Sequence, residues 1–299
     1  MSKNNFVLIR GGGDLATGVA LRLHRAGMRV VISELAQPLA VRRTVSFSEA
    51  VYEGQHSVEG VTARLIEASQ FEVWNEADEI PIIIDPDADL LTSYPLNVVV
   101  DARLIKQPPA PLPIDVPLHI GLGPGFTAGS DCHAVIETRR SHTLGRVYWT
   151  GTTQPDSGEP EGDPRRVLRA PHAGVVIGYK KIGEHVAAGE EVAIILRHVT
   201  LSEATLAPGA SAGEGLEHNT RDSSPTAQSD IKIVSPFAGT LRGLIRDGLH
   251  VTQGVKIGDI DARDDVSACY LVSDKALAIG GAVLEAILSK SEIRKQLYI

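Results

Sequence analysis

Apolar positions along the chain fall into short blocks separated by glycines, and the first blocks set the pattern. FVLIRG, from Phe6 to Gly11, is a nearly continuous apolar run of the kind seen in strands covered on both faces of a parallel sheet. It passes through GGGD into the helix-patterned LATGVALRLHRAG, closed by Gly27, and MRVVISEL then predicts a second strand ending at Glu34. IPIIID (Ile80 to Asp85) and LNVVVDAR (Leu96 to Arg103) predict further buried strands, each with an aspartate at its end. KQPPAPLPIDVP reads as a linker inside the domain, and CHAVIET with GRVYWTG as an antiparallel pair closing the sheet edge. The expected fold class is α/β, with a Rossmann-like N-terminal domain and a mainly parallel sheet over residues 1–155.

From about residue 165 the pattern changes and repeats itself. LRAPHAGVVIGYKKIGEHVAAGEEVAII is echoed by KIVSPFAGTLRGLIRDGLHVTQGVKIGDI, with Pro171, Gly174, Gly183, Val186 and Gly189 matching Pro236, Gly239, Gly248, Val251 and Gly254 at one constant spacing. Short β-branched runs punctuated by glycine predict strands joined by tight turns. The pattern resembles a biotinyl/lipoyl hammerhead, so a duplicated barrel-sandwich is expected over 165–265. A flexible insertion at about 205–229, rich in Ser, Ala, Gly and Pro, separates its halves. No lysine stands between Lys181 and Lys232, so no covalent biotin or lipoyl group is expected. Residues 266–299 form a C-terminal strand and helix, with Ser273 as N-cap and Leu277, Val283, Leu284, Ile287 and Leu288 facing a domain.

Candidate chemistry gathers at two places. Gly11, Gly13 and Ala16 form a GxGxxA fingerprint between strand and helix, where glycines give a tight turn and a close approach to a pyrophosphate. Glu34 lies about 20 residues further on, where an acid meets a ribose hydroxyl. Asp14 at the helix N-cap competes with a phosphate for the free amides, so nucleotide binding stays open. Arg42 and Arg43 either hold a phosphate or form a solvated pair, Ser46 and Glu49 have capping-box spacing, and Asp85 and Asp101 sit where ligands of open sheets collect. The second place is GLGPGFTAGSDCHAVIET, where Gly123 and Gly125 precede Asp131, Cys132 and His133. Glycines allow backbone to approach a ligand, and a thiol beside an imidazole and a carboxylate can act as nucleophile. The other reading makes Cys132 a small buried hydrophobe. No metal-ligand set is read.

At 299 residues with 43% hydrophobic and 22% charged positions, the chain has room for two domains, and 4% aromatics leave aliphatics to fill them. A net charge of -8 argues against nucleic acid as a partner. Neither a signal-like start nor a membrane-length apolar run occurs, and two cysteines are too few for a disulfide framework, so cytoplasmic residence is expected.

GGGDLATG, VRRTVSFSEAVYEG, GLGPGFTAGSDCH with VIET, SHTLGRV, the APHAG and SPFAG repeats, GLIRDG, GDIDAR and SDKALAIGGAVLEAIL recur together in one order. In these the chain resembles the YqeB-type accessory proteins of selenium-dependent molybdenum hydroxylases. The resemblance implies a role in maturing such a hydroxylase, its client, by handling the molybdopterin cofactor or its sulfur or selenium ligand. On that reading Cys132 is the reactive group and the first domain cradles a pterin or an adenine nucleotide. The alternative is an NAD-dependent oxidoreductase using the fingerprint and Glu34, with His133 as acid or base. Whether the chain is an enzyme or a homo-oligomer is left open.

Overall fold

The computed structural model describes residues 5–76, 78–158, 162–197 and 230–297. The insertion expected at about 205–229 lies outside the described residues.

The first apolar run forms β1 (Phe6–Arg10), every residue of which is buried, and the glycine turn leads into α1 (Asp14–Arg25) and β2 (Arg29–Glu34). The chain then makes α2 (Ala50–Glu53), the hairpin β3 (Gln55–Val58) and β4 (Val61–Leu65), β5 (Glu79–Ile84), α3 (Leu90–Ser93), β6 (Val98–Asp101) and β7 (Leu118–Leu122). β8 (Thr127–Ala128), β9 (Ala134–Ile136), β10 (Val147–Tyr148) and β11 (Gly151–Thr152) follow. The strands assemble in the order β10-β9-β7-β6-β1-β2-β5-β4-β3, while β8 and β11 pair separately. The seven strands from β9 to β4 run parallel, and the edge strands β10 and β3 run antiparallel. Because β2 lies on one side of β1 and β6 on the other, the strand order reverses at β1, which opens a crevice at the carboxyl ends of these strands.

The two faces of this sheet are covered differently. Val7, Ile9, Val30 and Ile32 pack against α1 and against α4 (Asp274–Ser289), which is followed by α5 (Ser291–Leu297). Phe6, Leu8 and Val31 on the opposite face meet loops, α3 and the ring of Phe71, which stands edge-on to Phe6 at 5.1 Å. Ser273 caps α4 as expected, accepting from the Ala276 amide at 3.2 Å. The buried face of α4 uses Ala276, Ile279, Gly280, Val283 and Ile287, whereas Leu277, Leu284 and Leu288 are only partly buried. Small residues let α1 and α4 touch backbone to backbone: a Cβ on Gly18 would stand 2.6 Å from the Ala276 carbonyl, and one on Gly280 would stand 2.5 Å from the Gly18 carbonyl.

The repeats supply β12 (Val167–Arg169), β13 (Gly174–Gly178), β14 (His185–Val186), β15 (Glu191–Leu196), β16 (Ile231–Val234), β17 (Gly239–Leu244), β18 (His250–Val251) and β19 (Lys256–Asp261). They form two four-stranded antiparallel sheets, β12-β19-β17-β14 and β16-β15-β13-β18, over one aliphatic core. Each repeat lends its short strand to the other's sheet, since β14 pairs with β17 and β18 with β13.

The expected fold class needs correction. The large sheet is mixed, with long helices on one face alone, and the repeats give separate antiparallel sheets with no strand pairing between them among the described residues, so a biotinyl/lipoyl barrel-sandwich is not shown. Glycine-punctuated β-branched runs specify strands and turns, but how sheets close depends on pairing between distant segments, which local pattern does not encode.

Opposite effects are expected from two glycine substitutions in these helices. Gly18→Ala forces a Cβ into α4 and should destabilise the chain by about 1–3 kcal/mol, whereas Gly281→Ala meets nothing within 4 Å and should stabilise it by roughly 0.5–1 kcal/mol through helix propensity. Urea denaturation of both variants checks this. Equal effects would mean that the α1–α4 contact is not close.

Candidate functional site

The carboxyl ends of β1, β2, β5 and β6 surround a cavity of about 290 Å³ lined by Arg10, Gly11, Gly13, Glu34, Asp85 and Arg103 together with apolar residues such as Leu35, Pro38, Leu39 and Leu104. Gly11 turns the chain with φ +92°, a conformation that side chains disfavour. Gly12 is packed on both sides: its amide donates to Glu34 Oε2 at 2.6 Å, its carbonyl accepts from the Ser48 amide at 2.8 Å, and a Cβ would lie 2.9 Å from Ser48 N. Gly13 differs, since a Cβ built there meets nothing within 4 Å. It occupies the N-cap of α1 without a side-chain cap bond, displacing Asp14 from its expected place into the first turn, where Asp14 accepts from the Leu15 amide at 3.0 Å. Ala16, fully inside, lets α1 lie against the sheet.

Glu34 closes the turn from the β2 side. Burial pushes its carboxyl above the ordinary range, although bonds from the Leu35 and Gly12 amides at 2.7 Å and 2.6 Å pull the other way. Asp101, with no exposed surface, accepts from Arg103 at 2.6 Å and 2.9 Å and from Arg10 at 3.4 Å. Arg10 also donates to the Pro86 carbonyl at 2.9 Å, while its buried Nε has no hydrogen-bond partner. Asp85 is turned away to α3, accepting from the Asp89 and Leu90 amides at 2.8 Å and 3.0 Å.

Two expected anion holders do something else. Arg42 donates to the Ala268 and Leu271 carbonyls at 3.0 Å and 3.1 Å, and Arg43 to the Leu244 carbonyl at 2.8 Å and to Glu49 at 3.0 Å. Both thus fasten the first region to later chain. The capping box read at Ser46 and Glu49 is absent too: Ser46 Oγ donates to the Arg42 carbonyl at 2.8 Å, and the Glu49 carboxylate takes Arg43 and Arg246.

The cysteine stretch does not converge on one point. Asp131 accepts from the Thr127 amide at 2.8 Å, which closes a turn, and exposed His133 accepts at Nδ1 from the His119 amide at 3.0 Å. Cys132 points inward among Phe126, Ala128 and Val135 and donates to the Ala134 carbonyl at 3.2 Å. Burial pushes its thiol up to about 11, with the Gly121 amide pulling the other way. The glycines here serve close packing: a Cβ on Gly125 would lie 2.4 Å from the Ile105 carbonyl, and one on Gly123 would lie 3.1 Å from the Thr138 hydroxyl. His119 is the residue that sequence reading missed. It is buried, stands edge-on to Phe126 at 6.0 Å, has no hydrogen-bond partner at Nε2, and is pushed down to about 4 by burial. A histidine inside the apolar run LHIGL was the signal for it.

Among the described residues, no three His, Cys, Asp or Glu side chains gather into a group that could hold a metal ion, and no helix is long and apolar enough to cross a membrane.

No family model matches the chain. It is 42% identical over 292 residues to YqeB of Escherichia coli strain K12, an uncharacterized protein, across 96% of this chain and 48% of that one. The chain therefore spans about half the length of the curated relative that it matches. Among solved structures it is similar to product-bound EutE (DoeB), an ectoine utilization protein of Ruegeria pomeroyi, at 9% identity and TM-score 0.23 over 85% of this chain and 56% of that one. An aspartoacylase family protein of Mesorhizobium loti gives 9% identity and TM-score 0.25 over 85% and 83% of the two chains. A succinylglutamate desuccinylase of a Silicibacter species gives 13% identity and TM-score 0.24 over 87% and 85%. Likeness of that degree carries no assignment of activity.

Both cysteines are buried, and burial raises both thiols. Native protein treated with iodoacetamide at pH 7 should therefore label slowly at Cys132 and at Cys269, with the Cys132 rate rising only as pH approaches about 11. Mass spectrometry of labelled peptides reads this directly, and fast labelling of Cys132 at neutral pH would overturn the buried assignment.

Proposed function

We propose that the chain is an accessory protein in the maturation of a molybdenum hydroxylase, holding a phosphate-bearing ligand non-covalently in the sheet crevice. The ligand is either molybdopterin or an adenine nucleotide. The observation that carries this reading is Gly13, the N-cap of α1 within the crevice, which has no side chain to cap the helix and faces open space, with Asp14 holding the Leu15 amide and Glu34 the Gly12 amide beside it. Helix N-termini favour phosphate groups through their first amides and the helix dipole, and a phosphate here would share that end of α1 with the Asp14 carboxylate. Glu34 and Arg103 line the same cavity, so both are within the reach of a ligand held there. The maturation role rests on the motifs that carry the resemblance, and the similarity to the uncharacterized YqeB is compatible with it.

Holding is favoured over covalent transfer by the state of Cys132. A thiol kept protonated and turned into an apolar cluster is a poor carrier of sulfur or selenium, because the thiolate is the reacting species. The oxidoreductase reading is weakened by size. A cavity of about 290 Å³ stands at the lower end of the roughly 300–1,000 Å³ typical of small-molecule sites, which suits a mononucleotide-sized group better than a full dinucleotide.

Gly13→Val tests the assignment, since the variant should keep its melting temperature while blocking the turn. Native mass spectrometry of protein from cells that make molybdenum cofactor should show a bound small molecule. In calorimetry with AMP, NAD and molybdopterin, the best-bound of the three should lose at least about tenfold in affinity in the variant, or about 1.4 kcal/mol. Binding of none of these by the wild-type chain, or equal binding by the variant, would overturn it.

A further inference from the structure

Two buried hydroxyls near the glycine turn are spent on backbone groups, and a third is not. Ser46 Oγ donates to the Arg42 carbonyl at 2.8 Å, and Thr17 Oγ1 donates to the Gly12 carbonyl at 3.3 Å while accepting from the Phe47 amide at 2.9 Å. Ser48 is 1% exposed, yet its Oγ has no hydrogen-bond partner. A buried hydroxyl left unpaired is costly, and folded chains keep few of them. Ser48 is also one of the residues that line the sheet crevice, in company with Arg10 and Gly13.

The backbone of Ser48 is clamped from both sides. Its amide donates to the Gly12 carbonyl at 2.8 Å, only 3.2 Å would separate its Cα from a Cβ on Gly12, and the next residue, Glu49, is fixed by Arg43 and Arg246. One χ1 torsion therefore decides where the hydroxyl points, and little freedom is lost in ordering it. Arg10, 5% exposed, stands 3.4 Å from Asp101, a carboxylate that Arg103 already holds at 2.6 Å, and its Nε also lacks a partner. Glu34 and Asp85 line the cavity too, but their oxygens are bound to backbone amides. The mouth of the crevice is apolar, with Leu35 and Leu39 exposed by 48% and 45% beside Pro38 and Leu104.

We infer that Ser48 is a ligand-binding residue of the crevice, its hydroxyl donating to the phosphate of a monoester whose ring lies against the apolar mouth. The assignment rests on the reading of the crevice proposed above and adds to it a class of ligand, one terminal phosphate joined to an apolar or aromatic group. The three terminal oxygens of a monoester match three separate donors: the start of α1, the Ser48 hydroxyl and the Arg10 guanidinium. Leucine and proline side chains at the mouth offer a ring contact area and no hydrogen bonds, so they favour a flat apolar face over a sugar.

Phenyl phosphate is the probe, because it carries that phosphate and a bare ring without choosing between a pterin and a purine. Titrated into the full chain and followed by phosphorus NMR, it should bind more tightly than inorganic phosphate and lose its binding in Gly13→Val. Ser48→Ala should weaken it at least about tenfold, as expected for a lost hydrogen bond to a charged group. The melting temperature of Ser48→Ala should equal or exceed that of the wild type, since the free protein loses no hydrogen bond. Wild-type affinity in Ser48→Ala together with loss in Gly13→Val would overturn the serine assignment and leave the crevice reading standing. A lower melting temperature in Ser48→Ala, with or without weaker binding, would overturn it too, because the hydroxyl then serves the fold through an ordered water. Binding of AMP or molybdopterin but not of phenyl phosphate, or equal binding of inorganic phosphate, would refute the ligand class alone. Binding of none of these probes, or binding untouched by both variants, would remove the crevice reading and this inference together.

Discussion

Glu49 is the carboxylate on which the two regions are joined. It is 3% exposed and accepts from Arg43 of its own segment and Arg246 of the repeat region. Around it Arg42 holds the chain near Ala268 and Leu271, and Gly243 of β17 lacks a side chain where Val41 presses to 2.9 Å of an ideal Cβ. Removing Glu49 would leave two half-exposed arginines without their shared carboxylate, whereas removing either arginine leaves Glu49 with the other. The same segment donates the Ser48 amide to Gly12, so the floor of the crevice and the seam between regions are one mechanical unit.

How much of this could be read beforehand follows from the range of each interaction. The β1–α1–β2 opening, Glu34 at its end and the buried strands ending in Asp85 and Asp101 were legible because periodicity and glycine placement are local. The partners of Arg42 lie more than two hundred positions away along the chain, so no local pattern could distinguish a phosphate clamp from a tertiary fastener. The edge strands β3 and β10 pair with near neighbours in the chain, β3 in a hairpin with β4 and β10 with β9, and of the two only the β9–β10 pair was legible in the sequence.

The cysteine stretch shows the same limit in chemistry. Residue types at Asp131, Cys132 and His133 are compatible with an activated thiolate, yet what decides a thiol's ionisation is solvent and charge within a few ångströms. Phe126 and Val135 supply neither, and the neighbouring carboxylate and imidazole bond to backbone amides instead. Burial also explains why His119, whose sequence signal is no more than its place in an apolar run, is pushed down to about 4.

The packing of α4 on α1 has a consequence for the order in which the protein takes shape during synthesis. The apolar face of α1 and of strands β1 and β2 receives its cover from residues 276–287, which leave the ribosome after the entire repeat region. The antiparallel sheets can therefore condense first, while the earlier-made sheet waits half-clad with aliphatic surface exposed. Such long-range closure slows folding and lengthens the interval in which partly folded chains can stick to one another. Helix α4 thus acts as the latch of the first domain, and a nascent chain halted before it would be a natural client for a chaperone.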